Sequence, residues 1–98
     1  MALDELLADV ATAPHVVVEG LTLDSRTIAA GEAFVALQGG QAHGLDHAAE
    51  AVARGARAVL WDPEEGRAPA AGETSVVHVA VRGLRDRLGA IADRFYGM

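Results

Sequence analysis

Three stretches of this 98-residue chain carry residue types that can do chemistry. The first is Leu23-Asp24-Ser25-Arg26, where a carboxylate, a hydroxyl and a guanidinium follow an apolar run. Set just past the end of a buried strand, such groups reach a ligand while the strand holds them rigid. Open α/β sheets commonly bind their ligands there. The alternative reading is an Asx or Ser turn closed by a local Asp24–Arg26 pair. The second stretch is Gln38-Gly39-Gly40-Gln41-Ala42-His43-Gly44. Glycines let main-chain N–H groups approach a ligand closely, and a helix start after them favours negative charge. That suits a diphosphate or a uracil ring gripped by main chain. The spacing is not GxGxxG, so a flexible connector is the alternative. The third is His43-x-x-Asp46-His47, two imidazoles at i and i+4 with a carboxylate between them. Zinc would need all three on one helical face. His43 precedes the expected helix start and no Glu holds the HExxH position, so no metal site is expected. Nor is a catalytic residue: no G-x-S-x-G elbow surrounds Ser25, and His78 reads as a strand residue on an exposed or satisfied face.

Bulk composition narrows the classes of function. The net charge is −6 and all eight basic residues are Arg. A broad nucleic-acid surface is not expected from such a chain. The absence of Lys also removes the residue that a Walker-type phosphate loop places on the β and γ phosphates. ATP chemistry, if it belongs to the protein, lies outside these residues, and no cofactor is expected within them. Cysteine is absent, so there is no disulfide and no thiolate metal site. The acidic start, with Asp4, Glu5 and Asp9, is not a signal peptide. No apolar run approaches the ~20 residues of a membrane helix, and a soluble, cytoplasmic protein is expected.

The elements that must position these groups fit one domain over residues 1–98. Leu3, Leu6, Leu7 and Val10 mark one helix face, closed by Pro14. Val16-Val17-Val18 and Leu21-Thr22-Leu23 form a strand, or a strand pair broken at Gly20. Ala29-Ala30-Gly31-Glu32 is a turn signal and Ala33 to Leu37 a short buried strand. Asp46 is a good N-cap type, the run from His47 to Arg54 propagates a helix, and Gly55 ends it in a left-handed conformation. Ala58 to Trp61 and Val76 to Val81 are strands flanking a surface loop. The last helix turns Leu84, Leu88, Ile91, Ala92 and Phe95 inward. Only four residues are aromatic, so Phe34, Trp61, Phe95 and Tyr96 are the large pieces of an otherwise aliphatic core. The order α, β, β, α, β, β, α predicts an α/β fold: a small mixed or partly parallel sheet with helices on both faces.

The run Leu21-Thr22-Leu23-Asp24-Ser25-Arg26, followed by Ala30-Gly31-Glu32-Ala33-Phe34-Val35-Ala36-Leu37-Gln38-Gly39, resembles the opening signature of the Mur ligases, which extend the peptidoglycan stem peptide. Gly44, Ala48 to Ala53 and Gly55-Ala56-Arg57-Ala58-Val59-Leu60 look like the family's next segment. Val81 to Gly97 is similar to its closing strand and helix. The resemblance covers about residues 3 to 97. It implies the N-terminal, UDP-binding domain type, holding the UDP end of UDP-N-acetylmuramoyl-L-alanyl-D-glutamate. Contacts would fall on Leu23, Ser25, Gly40, Gln41 and Ala42. The whole family enzyme uses ATP and Mg2+, and the branch most resembled adds a diamino acid, often meso-diaminopimelate. The D-alanyl-D-alanine-adding branch and a stand-alone α/β interaction domain are the alternatives. The implied partners are the UDP-N-acetylmuramoyl peptide and the enzyme's own central and C-terminal domains, which this chain lacks. The chain departs from the family pattern, which usually has Asp where His43 stands, a basic residue near Leu45, and an aromatic where His47 stands.

Overall fold

The computed structural model describes residues 2–8, 11, 13–24, 26–37, 47–65 and 76–96. Helix α1 (Leu3–Leu6) leads to strand β1 (Leu21–Thr22) and strand β2 (Ala33–Ala36). Helix α2 (Ala48–Ala53), strand β3 (Ala58–Trp61), strand β4 (Val77–Ala80) and helix α3 (Leu84–Tyr96) follow. The sheet order is β1-β2-β3-β4 and all three ladders are parallel. The expected mixed or partly parallel sheet is therefore parallel throughout its named strands. The antiparallel element among the described residues is a single bridge between Ala2 and Val17. Val17 pairs with Ala2 in that bridge before the chain enters the two-residue β1.

Two apolar clusters flank the sheet, one per face, because successive strand residues point to opposite sides. On one face Leu3, Leu6 and Leu7 and Leu84 and Ile91 of α3 cover Ala33, Val35, Ala58, Leu60 and Val79. On the other, Ala48 and Ala51 of α2 meet Phe34, Ala36, Val59 and Ile28. β2 is buried at all four positions, as a central parallel strand must be when helices lie on both sides. Each large side chain so buried contributes roughly 1.5–3 kcal/mol. Phe34 is the one aromatic fully inside the core; Trp61 and Phe95 are partly buried. Tyr96, expected in the core, is 58% exposed.

Helix α1 is shorter than its periodicity suggests: its face holds Leu3, Leu6 and Leu7, and Val10 lies outside the described residues. Gly55 ends α2 with φ +108°. Its amide reaches the Val52 carbonyl, and its own carbonyl accepts the Gly31 amide at 2.9 Å. A Cβ there would sit 2.9 Å from the Ala30 Cα. Conformation and space both require glycine at this turn.

Candidate functional site

All four strands run the same way, so the chain segments leaving β1 and β2 emerge at one edge of the sheet. After Thr22 the chain folds into a tight polar corner. The Thr22 hydroxyl accepts the Asp24 amide at 3.2 Å. The Asp24 carbonyl accepts the Thr27 amide at 3.2 Å. Asp24 Oδ1 accepts both the Arg26 amide at 2.8 Å and Arg26 Nε at 3.1 Å, and Oδ2 accepts Arg26 Nη2 at 3.2 Å. This is an Asx turn locked by a two-pronged carboxylate–guanidinium pair, a geometry that fixes direction as well as charge. The hydrogen bonds from the Arg26 side chain and amide hold the Asp24 carboxyl below its ordinary range. The same pair raises Arg26. The local-turn reading of this stretch is thus present, and the turn itself faces a cleft.

That cleft has a volume of about 540 Å³, and among the described residues it is lined by Leu23, Asp24, Arg26, His47 and Glu50. Leu23 is 56% exposed, so an apolar side chain stands beside a fixed polar corner. Across from it are His47, immediately before α2, and Glu50 in the helix's first turn. The corner after β1 and the start of α2 therefore meet at one opening. Of the expected site residues, Leu23 is placed at this cleft; Ser25, Gly40, Gln41 and Ala42 lie outside the described residues, as do His43 and Asp46. His47, considered in the sequence as a metal ligand and as a departure from the family pattern, lines the cleft with Glu50. Their i, i+3 spacing on the expected helix was the available signal.

A second cleft of about 400 Å³ opens where the strands begin, lined by Val17, Glu19, Ala30, Gly31 and Arg57. It holds none of the expected residues. Asp62, directly after β3, is 5% exposed and joins β3 to the start of α3. Its Oδ1 accepts the Glu64 amide at 2.8 Å and its Oδ2 the Leu84 amide at 3.1 Å. His78 has a buried Nε2 without a hydrogen-bond partner, so its strand position is neither fully exposed nor fully satisfied.

Residues 17–96 match the family model described as "Mur ligase family, catalytic domain". The chain belongs to the Mur ligase family. Curated Mur ligases similar to it are named UDP-N-acetylmuramoyl-L-alanyl-D-glutamate–2,6-diaminopimelate ligase. That of Xanthomonas campestris pv. campestris (strain 8004) is 52% identical over 97 residues. That of Xylella fastidiosa (strain 9a5c) is 50% identical over 99 residues. Each alignment takes in 99% of this chain and 19% of the relative, so the chain spans about a fifth of their length. Among solved Mur ligases, MurF of Thermotoga maritima in complex with ADP superposes with a TM-score of 0.63 at 24% identity, covering 87% of this chain and 18% of that one. MurF of Acinetobacter baumannii gives a TM-score of 0.55 at 20% identity, covering 82% and 16%. At these identities the MurF structures speak for the fold alone.

Proposed function

We propose that this chain is the N-terminal domain of a MurE-type ligase. Its task is to dock the UDP end of UDP-N-acetylmuramoyl-L-alanyl-D-glutamate while a diamino acid is joined to the glutamate. The observation that carries this reading is the single cleft between the Leu23–Arg26 corner and His47. Both residues flanking Ser25 in the sequence line it, and the stretch containing Gly40-Gln41-Ala42 ends at His47, which also lines it. These are the positions to which the family's nucleotide contacts carry over. Leu23 offers apolar surface to a flat base, and the corner's fixed geometry costs little ordering on binding.

Charge gives a constraint. The described lining carries two carboxylates and one guanidinium, and that guanidinium is engaged with Asp24. It is not a cationic trap for a diphosphate. Main-chain donors of Gly40, Gln41 and Ala42 are the proposed grip. Binding by the domain alone is expected to be weak. In the whole enzyme the value of docking is positional: it holds the reacting glutamate at the catalytic centre.

The residues present do not fit an ATP–magnesium centre, because the chain has no Lys for a phosphate loop. ATP, Mg2+ and the chemistry of peptide-bond formation are assigned to the central and C-terminal domains of the whole ligase. The diaminopimelate-adding assignment rests on relatives near 50% identity across the chain. Assaying the full-length ligase that carries this domain, with ATP, tests it. Turnover of the dipeptide nucleotide with meso-diaminopimelate is expected. Turnover only of the tripeptide nucleotide with D-alanyl-D-alanine would overturn it.

A further inference from the structure

We propose that the Tyr96 hydroxyl is a positioning group for the nucleotide corner, acting through the outer edge of β1; this rests on the docking reading above. β1 is a two-residue strand at the margin of the sheet. The Ala33 amide bonds to the Gly20 carbonyl, and Leu21 is the residue directly opposite Ala33. In a parallel ladder that register turns the N–H and C=O of Leu21 away from β2. An exposed pair of this kind is normally left to water or to a stray strand. Here the Tyr96 hydroxyl takes both. It accepts the Leu21 amide at 2.8 Å and lies 3.4 Å from the Leu21 carbonyl as a donor.

The hydroxyl reaches that spot because it stands at the end of α3. Ile91 and Leu84 bury the helix on the sheet, and the Phe95 ring lies 4.7 Å from the Tyr96 ring at 58°. Leu21 is two residues before Leu23, and Thr22, between them, holds the Asp24 amide. A two-residue strand has little pairing of its own to resist sliding or fraying. The tyrosine supplies outer-edge hydrogen bonds where a further strand would otherwise supply them. The corner that faces the cleft is thereby held from both sides: by β2 within the sheet and by α3 outside it. A tyrosine that is 58% exposed and absent from the core has no comparable packing role.

Tyr96→Phe keeps the ring and removes only the hydroxyl, and Ile91→Val serves as a control that weakens α3 packing while leaving the hydroxyl in place. Each protein is titrated with UDP while amide resonances are recorded. Expected for Tyr96→Phe are shifted, faster-exchanging amides from Leu21 to Arg26 and a dissociation constant raised about two- to tenfold, the scale of one or two lost hydrogen bonds. Ile91→Val should bind like the unmodified chain. Equal losses in both variants, or an unchanged dissociation constant in Tyr96→Phe, would overturn the proposal. If the unmodified chain shows no response to UDP, the docking reading falls instead. The positioning role is then decided by the corner: perturbation confined to Leu21 in Tyr96→Phe overturns it, and perturbation reaching Asp24 and Arg26 upholds it.

Discussion

Asp62 Oδ2 lies 3.1 Å from the Leu84 amide nitrogen, which makes a residue at the end of one strand the cap of a helix that starts 22 positions later. The first N–H groups of a helix have no partner within it, and here the partner comes from outside the local sequence. The same carboxylate holds the Glu64 amide. Asp62→Ala would strand one buried donor, the Leu84 amide, and one part-buried donor, the Glu64 amide, and is expected to lower unfolding stability by about 1–3 kcal/mol. Asp62→Asn, which keeps one acceptor oxygen, should lose less. Urea denaturation of the two variants reads the order directly, and Ala no worse than Asn would contradict it.

Gly55 to Ala is the second case. With φ at +108° and the Ala30 Cα only 2.9 Å from the position of an added Cβ, the methyl group meets both strain and a backbone clash. A loss of about 1–3 kcal/mol is expected from the conformation. The damage should register in thermal unfolding and in the Gly31 and Arg57 amides, which bond to Gly55 and Glu32 carbonyls across this turn. Gly83→Ala, also at positive φ but with its nearest neighbour 3.9 Å away on a flexible side chain, should cost less.

Asp24 gives a pH signature. Its carboxyl is held below the ordinary range first by the Arg26 side-chain hydrogen bond and then by the Arg26 amide. A depressed carboxyl contributes stability that is present above its unfolded value and is lost as pH falls through its folded value. The pair should therefore matter at neutral pH and vanish in acid. Carboxyl carbon titration followed by NMR should show the Asp24 midpoint below that of an ordinary aspartate, moving up in Arg26→Gln. An identical midpoint in the two proteins would mean the pair does not persist in solution.

Local pattern made most of the fold legible. Ala58 to Trp61 is found as expected because a short apolar run bounded by Arg57 and Asp62-Pro63 admits little else. The Leu84, Leu88, Ile91 and Phe95 stripe appears on α3 because a helix period of 3.6 leaves that stripe one face. Gly55 ends α2 as its residue type suggests. What the pattern could not reveal is long-range. The carboxylate of Asp62 looks like a strand stop until α3 is brought to it. Tyr96 looks like core until β1 is seen to end beside it with an unpaired edge. Nor could alternation decide between mixed and parallel sheet, since buried strands in either arrangement read as apolar runs. At the candidate site, Leu23, Asp24 and Arg26 were legible because polar groups follow an apolar strand. For Glu50 the i, i+3 spacing from His47 marks a shared helix face, but only the fold turns that face of α2 toward the corner.

The convergence of that corner and the segment ending at His47 on one uridine nucleotide is tested most directly by titrating the 98-residue chain with UDP and following assigned amide shifts. Saturable shifts at Leu23, Asp24, Arg26 and His47, joined by Ser25 and Gly40 to Ala42, are predicted. Shifts gathered instead at Val17, Glu19, Gly31 and Arg57, along the opposite edge of the sheet, would contradict it, as would a spectrum that stays still up to millimolar nucleotide.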